Sequence, residues 1–166
     1  TNVLVGLDCD YEIIVVDDGS TDNTFARLIE WQETEHKLVI AKLSRNWGHQ
    51  PAFNAGLDIS RGDAVIFMDG DLEDPPELIP DLIAEWREGN DVVYTVKESR
   101  IQTPMKRSLT NLYYWLVKST NNAGAEVQAG MYSLVGRNVA DVLRNMPESN
   151  KSYPNLRSLV GFRQKR

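Results

Sequence analysis

The sequence predicts an α/β fold in which a mostly parallel sheet carries helices on both faces. Four short apolar runs, at residues 12–16, 38–40, 64–68 and 91–96, alternate with segments of helical pattern. Parallel strands are buried on both faces, so they appear in a sequence as continuous apolar runs, and a crossover helix joins each to the next. Acidic clusters directly follow the first and third runs. Ligands of such sheets bind at the carboxyl ends of the strands, so this edge is the predicted binding site.

Five helices are predicted, at residues 25–35, 51–60, 77–88, 109–116 and 138–146. The first follows capping side chains, and its apolar residues, Ile29 and Trp31 among them, are spaced for burial. The second has Pro51 in its first turn, and the third ends at Gly89, as helices often do. No repeat, low-complexity tract or clear linker interrupts the chain, so we expect a single domain over residues 1–166.

The composition favours a compact domain and argues against nucleic acid as a partner. The 166 residues are 42% hydrophobic and 25% charged, with a formal net charge of −6. Nucleic-acid phosphates are held by an excess of Lys and Arg, which this chain lacks. An acidic site can still hold a diphosphate when a divalent cation lies between the two. One cysteine, Cys9, cannot form an internal disulfide, and no apolar run approaches the roughly 18–20 residues that span a bilayer, so we expect the chain as given to be soluble.

The acidic cluster after the third run is Asp69-Gly70-Asp71, with Glu73 two residues further on. These carboxylates can converge on one cation if the backbone curls at Gly70, which glycine permits. Oxygen ligands without nearby Cys or clustered His favour Mg²⁺ or Mn²⁺ over zinc. The alternative is an ordinary turn, since Asp and Gly are common in turns.

The cluster after the first run is Asp17-Asp18-Gly19-Ser20. A carboxylate here can accept hydrogen bonds from a nucleobase imide or from ribose hydroxyls, although a capped turn has the same residues. A polar loop at residues 44–50 contains Asn46 and His49, and a lone histidine in such a loop is more often solvated than catalytic.

Basic residues after the fourth run could grip an anionic acceptor, because arginine binds phosphate through paired donors. They are Arg100, Lys106 and Arg107. The alternative is a solvated helix face.

Three segments together resemble the family 2 glycosyltransferases. They are Val15-Val16-Asp17-Asp18-Gly19-Ser20-Thr21-Asp22, Asn46-Trp47-Gly48 with Asn54-Ala55-Gly56-Leu57, and Met68-Asp69-Gly70-Asp71-Leu72-Glu73-Asp74-Pro75-Pro76-Glu77. Asp91-Val92-Val93-Tyr94 leading to Arg100, and Met146-Pro147-Glu148 leading to Gly161-Phe162-Arg163-Gln164, are similar to one branch specifically. That branch acts on polyprenyl phosphates and includes dolichyl-phosphate mannose synthase and bactoprenol glucosyltransferases.

The resemblance implies a Rossmann-like, GT-A type fold and an inverting sugar transfer from a UDP- or GDP-linked donor to a polyprenyl phosphate. Asp17 and Asp18, with Asn46, would contact the nucleotide, and Asp69 and Asp71 would be the DxD pair that serves ribose, Mg²⁺ or Mn²⁺, and diphosphate. Glu73 would be a further metal ligand. Arg100, together with Lys106, Arg107 and Arg163, would face the acceptor phosphate. The parent protein would work at the cytoplasmic face of a membrane, attached through parts outside this chain.

The chain departs from the family pattern at three places. Relatives open with a Pro-x-Tyr-Asn-Glu type motif and continue beyond the Gly-Phe-Arg-Gln motif, so we expect this chain to be incomplete at both ends. Where many relatives have Gly-Asp-Phe-Arg-Leu, this chain has Gly130-Met131-Tyr132-Ser133-Leu134. An ionised lipid phosphate needs no general base, which would make Met131 tolerable.

Three alternatives stay open from the sequence. A family 2 enzyme with a glycan or protein hydroxyl as acceptor would need a carboxylate near Met131, and only Glu126 and Asp141 are close in sequence. A nucleotide-sugar-binding domain without catalysis is the second. A phosphatase or receiver-like domain is disfavoured, because the accompanying Lys and Thr or Ser cannot be assigned.

Overall fold

The computed structural model describes residues 2–96, 129–146, 153, 156 and 160–166. The predicted helix at residues 109–116 lies outside these ranges, as do Arg100, Lys106 and Arg107. The first part contains α1 (Asn2–Val5), β1 (Ile13–Asp17), α2 (Thr24–Gln32), β2 (Leu38–Lys42), α3 (His49–Ile59), β3 (Ala64–Phe67), a 3₁₀ turn (Pro76–Leu78), α4 (Ile79–Arg87) and β4 (Val92–Val96). The second part contains β5 (Ala129–Gly136), α5 (Arg137–Asn145) and β6 (Gln164–Lys165).

The described strands form two sheets. β1 and β2 pair in parallel, with Ile13 opposite Leu38 and Asp17 opposite Lys42. The other sheet has the order β3-β5-β4-β6. β5 is antiparallel to β3 and to β4, whereas β6 is parallel to β4, so β5 alone runs against its neighbours. The predicted α/β fold with a mostly parallel sheet is confirmed.

Strand β5 was not predicted from the sequence, although it lies between β3 and β4 and is the centre of its sheet. Its sequence, Ala-Gly-Met-Tyr-Ser-Leu-Val-Gly, has glycines near both ends and a central serine, so it lacks the continuous apolar run that marked the other strands. Tyr132, Ser133, Leu134 and Val135 are nonetheless buried. The two neighbouring strands supply the hydrogen bonds, and the helices on both faces supply the burial, so tertiary contacts override a weak local pattern.

Helices cover both faces of the four-stranded sheet, as predicted. On one face, Phe67 and Val135 pack with Leu57 of α3 and with Val139 and Leu143 of α5. On the other face, buried side chains of α4, β4 and β5 form a second cluster of Leu82, Val93, Tyr132 and Leu134. Alternating residues of β4 and β5 thus point to opposite clusters, which fixes the register of the sheet.

The predicted burial of α2 is wrong for Ile29 and Trp31, whereas Phe25 and Leu28 are half-buried. No residue of α2 is buried, and Ile29 and Trp31 remain 41% and 38% exposed. The helix packs against β2, in a sheet of two described strands. A sheet of two strands covers only the side of α2 that faces it. Apolar residues on the two sides of the helix, such as Ile29 and Trp31, therefore stay partly exposed.

None of the helices within the described ranges is long and apolar enough to cross a membrane.

Candidate functional site

The carboxyl end of β1 presents two aspartates in different environments. Asp17 is 3% exposed, and its Oδ1 accepts a hydrogen bond from the Ser20 backbone N–H at 2.9 Å. Its Oδ2 is also buried and meets no hydrogen-bond donor among the described residues. A buried acceptor without a donor is costly, by about 1–3 kcal/mol, so Asp17 is a site where a donor from water or from a ligand would be favourable.

Asp18 is bound to the loop that precedes α3. Its Oδ1 accepts from the Trp47 backbone N–H and its Oδ2 from the Gly48 backbone N–H, both at 2.8 Å. Both carboxylate oxygens therefore hold the protein backbone, in charge-assisted hydrogen bonds that are stronger than neutral ones. The predicted contact of Asp17 and Asp18 with a nucleoside remains a prediction.

Gly19 allows these two loops to come together. Its φ is +70°, in the left-handed region that favours glycine, and a Cβ placed on it would lie 2.4 Å from the Arg45 carbonyl carbon. It would also lie 2.7 Å from the Asn46 backbone nitrogen. Asn46 itself is exposed, so the backbone beside this predicted donor-binding residue is packed while its side chain faces outward.

Asp69 follows the end of β3 and is held at two points. His49 Nε2 lies 2.7 Å from Asp69 Oδ1, in a pair whose side chains are 50% and 29% exposed. The Asp69 backbone N–H donates to Asp74 Oδ2 at 3.1 Å, and Asp74 is buried. The His49 and Phe53 rings form a T-shaped contact with centroids 4.5 Å apart. One face of this pair stays open to solvent, where a ligand can reach it.

Three consecutive residues connect the two acidic strand ends. The backbones of Trp47 and Gly48 bind Asp18, and the side chain of the next residue, His49, binds Asp69. The two predicted acidic clusters are therefore parts of one local surface, separated by the start of α3.

The loop from Asp69 to Pro75 is braced from within and from β5. The Glu73 backbone N–H donates to Asp71 Oδ1 at 2.9 Å, which is the local bond of an Asx turn. Between them, Leu72 has a φ of +65° and is 96% exposed. The hydroxyl of Tyr132 donates to the Pro75 carbonyl oxygen at 2.8 Å. Burial, with a smaller contribution from the Asp74 and Glu77 carboxylates, raises the pKa of Tyr132 to about 12, so this hydroxyl keeps its proton.

Asp69 and Asp71 carry carboxylate oxygens, the type of ligand that Mg²⁺ and Mn²⁺ prefer. Among the described residues, no three His, Cys, Asp or Glu side chains converge to form a complete metal cage. Mg²⁺ is usually held by one or two carboxylates together with substrate phosphates and water, and Asp69 and Asp71 supply that number of carboxylates. The role of Glu73 as a further metal ligand remains a prediction.

Met131 lies beside the start of α3. The Nε2 atom of Gln50 is 3.9 Å from Met131 Sδ and 3.4 Å from His49 Nδ1, and Gln50 Oε1 accepts from the Tyr153 backbone N–H at 3.3 Å. The Met131 side chain therefore contacts Gln50, whose amide also reaches the His49 ring.

Of the predicted acceptor-binding residues, the structure describes Arg163. Arg100 lies outside the described residues, but β4, which precedes it, runs in the same direction as β3, with Tyr94 and Phe67 both opposite Ser133. Arg163 binds the backbone of Asp91, at the start of β4, through its carbonyl oxygen. Ala64, at the start of β3, comes five residues before Asp69. A strand rises about 3.3 Å per residue, so the starts of β3 and β4 lie about 16 Å from Asp69 along the strand direction. Arg163 is therefore at the wrong end of the sheet to meet a phosphate bound beside Asp69.

Sequence reasoning underestimated three residues of this site. His49 was interpreted as a solvated side chain, whereas it binds Asp69, and neither Asp74 nor Tyr132 was singled out. For His49 there was a signal, since Gly48 and Pro51 place it at the first turn of a helix that begins at the predicted edge. Asp74 accepts from a backbone N–H five residues away and Tyr132 donates to a carbonyl 57 residues away, and the motifs that contain them do not indicate these contacts.

Comparison with solved structures defines the class of fold. The mannosyltransferase PcManGT from Pyrobaculum calidifontis, in complex with GDP-Man and Mn²⁺, superposes with a TM-score of 0.61 at 22% identity. The superposition covers 92% of this chain and 44% of that chain. At this identity the likeness shows the fold, which is the GT-A type.

The family follows from the sequence comparisons. The family model described as "Glycosyl transferase family 2" matches residues 2–141, so the chain belongs to glycosyl transferase family 2. An uncharacterized glycosyltransferase of Synechocystis sp. is 38% identical over 98% of this chain and 51% of its own length. The prophage bactoprenol glucosyl transferase homolog of Escherichia coli is 35% identical over 90% of this chain and 49% of its own length. The chain thus spans about half the length of the curated relatives it matches.

Proposed function

We propose that this chain is the donor-binding, catalytic part of a metal-dependent, inverting glycosyltransferase that transfers a sugar from a nucleotide-sugar to a polyprenyl phosphate. The observation that carries the proposal is the bridge formed by residues 47–49, which brings Asp18 and Asp69 to one surface. A nucleoside diphosphate would contact both acidic clusters, with its nucleoside at the end of β1 and its diphosphate after β3.

The nucleoside end of the donor is assigned to the end of β1. Asp17 carries a buried oxygen that meets no donor in the described part of the chain, and Asn46 is exposed on the adjacent loop. Base imide and ribose hydroxyl groups are hydrogen-bond donors, and they could satisfy such acceptors after a small adjustment of the loop. Asp18 would act indirectly, because its two oxygens already hold the Trp47 and Gly48 backbone.

The diphosphate end is assigned to Asp69 and Asp71, together with Mg²⁺ or Mn²⁺. When bound, the cation would neutralise negative charge on the departing nucleoside diphosphate. Asp71 is exposed at the loop, and Asp69 is oriented by His49 and by its own backbone bond to Asp74. A brace of this kind keeps the carboxylates in place before the donor arrives, which reduces the reorganisation needed during the reaction.

The acceptor is assigned from the absence of a base at the expected position. Met131 can neither accept nor donate a proton, and among the described residues its sulfur contacts the Gln50 amide. A phosphate monoester has a second pKa of about 6 and is largely ionised at neutral pH, so it can attack without a general base. Arg100 follows β4 from the carboxyl edge, and we assign it to the phosphate of the acceptor.

The name of the E. coli relative supports a bactoprenol-type acceptor for this chain too. A lipid acceptor also requires the whole protein to work at a membrane surface, and we propose the cytoplasmic face, where nucleotide-sugars are made.

Two experiments test the proposal. The full-length protein is incubated with labelled UDP- and GDP-sugars and with either a polyprenyl phosphate or a sugar hydroxyl acceptor. Transfer only to the polyprenyl phosphate is expected, and transfer only to the hydroxyl would reject the acceptor assignment.

The second experiment is calorimetric titration of nucleoside diphosphates in the presence and absence of Mn²⁺. Asp71→Ala is expected to lose the manganese-dependent gain in affinity, while Asp81→Ala, on the first turn of α4, keeps it. Equal manganese dependence in both variants would remove the metal-site assignment.

A further inference from the structure

The side-chain amide of Gln50 lies between His49 and the backbone N–H of Tyr153, which can only donate. The Tyr153 N–H lies 3.3 Å from one end of the Gln50 amide, so the atom at that end must be the carbonyl oxygen. The other end must then be the NH₂ group, which donates. This orientation follows from hydrogen-bond chemistry and does not depend on how the amide was placed.

Two groups of the described residues lie beside the Gln50 NH₂ group, and each can only accept from it. They are Met131 Sδ at 3.9 Å and His49 Nδ1 at 3.4 Å. A thioether is a weak acceptor, so the ring nitrogen is the better partner, and it must carry no hydrogen. In a neutral imidazole the proton is therefore on Nε2.

The other side of the ring leads to the same assignment independently. His49 Nε2 lies 2.7 Å from Asp69 Oδ1. A protonated Nε2 donates to this carboxylate, whereas the opposite tautomer would bring two lone pairs together at that distance. The contact of Phe53 with the His49 ring limits rotation of the ring, which disfavours a flip that would exchange the positions of the two nitrogens.

We propose that His49 is a positioning residue for Asp69, and that Gln50 holds it in the Nε2-protonated tautomer. Gln50 takes its own orientation from the Tyr153 backbone, so a distant part of the chain sets the direction of the Asp69 carboxylate. Met131 suits this arrangement, because a carboxylate there would compete with His49 for the Gln50 NH₂ group. The consequence for donor binding rests on the function proposed above for Asp69.

The tautomer is tested directly by the long-range ¹H–¹⁵N spectrum of the histidine rings in the full chain. The sequence contains two histidines, His36 and His49, so a His36→Gln variant assigns both rings. The spectrum is recorded roughly two pH units above the ordinary imidazole pKa of about 6.5. We expect an unprotonated Nδ1 and a protonated Nε2 at His49. The opposite tautomer, or the mixture that a free histidine shows, would overturn the assignment.

Gln50→Glu tests the control by Gln50. A carboxylate can still accept from the Tyr153 N–H but cannot donate to Nδ1, so the Nδ1 signal of His49 should shift toward that of a protonated nitrogen. An unchanged ring spectrum in Gln50→Glu would refute the role of Gln50.

The positioning role is tested by manganese-dependent binding of GDP and UDP to a matched pair of variants. His49→Gln keeps an N–H near the Nε2 position, and His49→Met has similar length without a donor. We expect His49→Gln to bind within about threefold of the unsubstituted chain and His49→Met about tenfold more weakly, which corresponds to one charge-assisted hydrogen bond. Equal affinities for the pair would overturn the positioning role.

Failure of the proposed function has a different signature. If the unsubstituted chain binds neither nucleotide while the ring spectra behave as described, the donor site is rejected and the hydrogen-bond assignment stands. If nucleotides bind with manganese but the ring spectra or the matched pair do not behave as described, this inference is rejected and the donor site stands.

Discussion

Replacing Gly19 by alanine should separate the β1 end from the loop that carries Trp47 and Gly48. The new Cβ would lie 2.4 Å from the Arg45 carbonyl carbon, a distance that requires backbone movement because no flexible side chain is there to yield. The φ of +70° adds a left-handed cost of about 1–2 kcal/mol for a residue with a Cβ. Movement of the loop would stretch the two bonds to Asp18, and losing one charge-assisted bond costs about 1.5–3 kcal/mol.

The matched control is Gly89→Ala. Gly89 also has a positive φ, +92°, but a Cβ there would meet nothing within 4 Å. Gly89→Ala should therefore lose about 1–2 kcal/mol and Gly19→Ala about 2.5–5 kcal/mol of unfolding free energy, measured by urea unfolding. Gly19→Ala should also weaken nucleotide binding, which Gly89→Ala should leave unchanged. Equal losses in the two variants, with equal nucleotide binding, would refute the reasoning that links Gly19 to the loop.

Two further predictions concern the support of the site and the core. Tyr132→Phe should lose about 1 kcal/mol near neutral pH, because the Pro75 carbonyl loses its donor. Folding raises the pKa of Tyr132 from 10.0 to about 12, so the contribution of the protonated hydroxyl to stability is complete below pH 10 and is lost as the pH rises through about 12. Between pH 10 and 12 the free energy of unfolding, measured with denaturant, should therefore fall more steeply for the unsubstituted chain than for Tyr132→Phe. A parallel decline in both would contradict this. Leu143→Ala should lower the free energy of unfolding by about 2–5 kcal/mol, because Leu143 is fully buried. Val142→Ala, at the adjacent position that is 40% exposed, should lower it by under about 1 kcal/mol. Similar losses in the two variants would contradict the placement of Leu143 in the core.

The parts of the fold that could be predicted are those in which local pattern and tertiary environment agree. The apolar run at residues 64–68 became β3, and the helix signals around Pro51 and Gly89 mark helices that the structure contains. The acidic clusters could be predicted because each directly follows an apolar run, at the sheet edge where ligands bind.

The parts that could not be predicted depend on partners distant in the chain. β5 is a strand because β3 and β4 flank it, and its own sequence carries a weak signal. The apolar spacing of α2 predicted burial, but burial depends on the width of the sheet beneath the helix, which the spacing does not reveal. His49 looked ordinary because its significance comes from Asp69, twenty residues away.

The central claim is that the acidic ends of β1 and β3 form one donor site. Paramagnetic broadening of backbone amide signals by Mn²⁺, added together with a nucleoside diphosphate, tests it most directly. The account predicts that the amides of Gly19, Gly48 and Asp71 broaden together, while that of Gly89, at the opposite edge beside the start of β4, stays sharp. Sharp signals at Gly19 and Gly48, with broadening confined to Asp71 or found at Gly89, would contradict it.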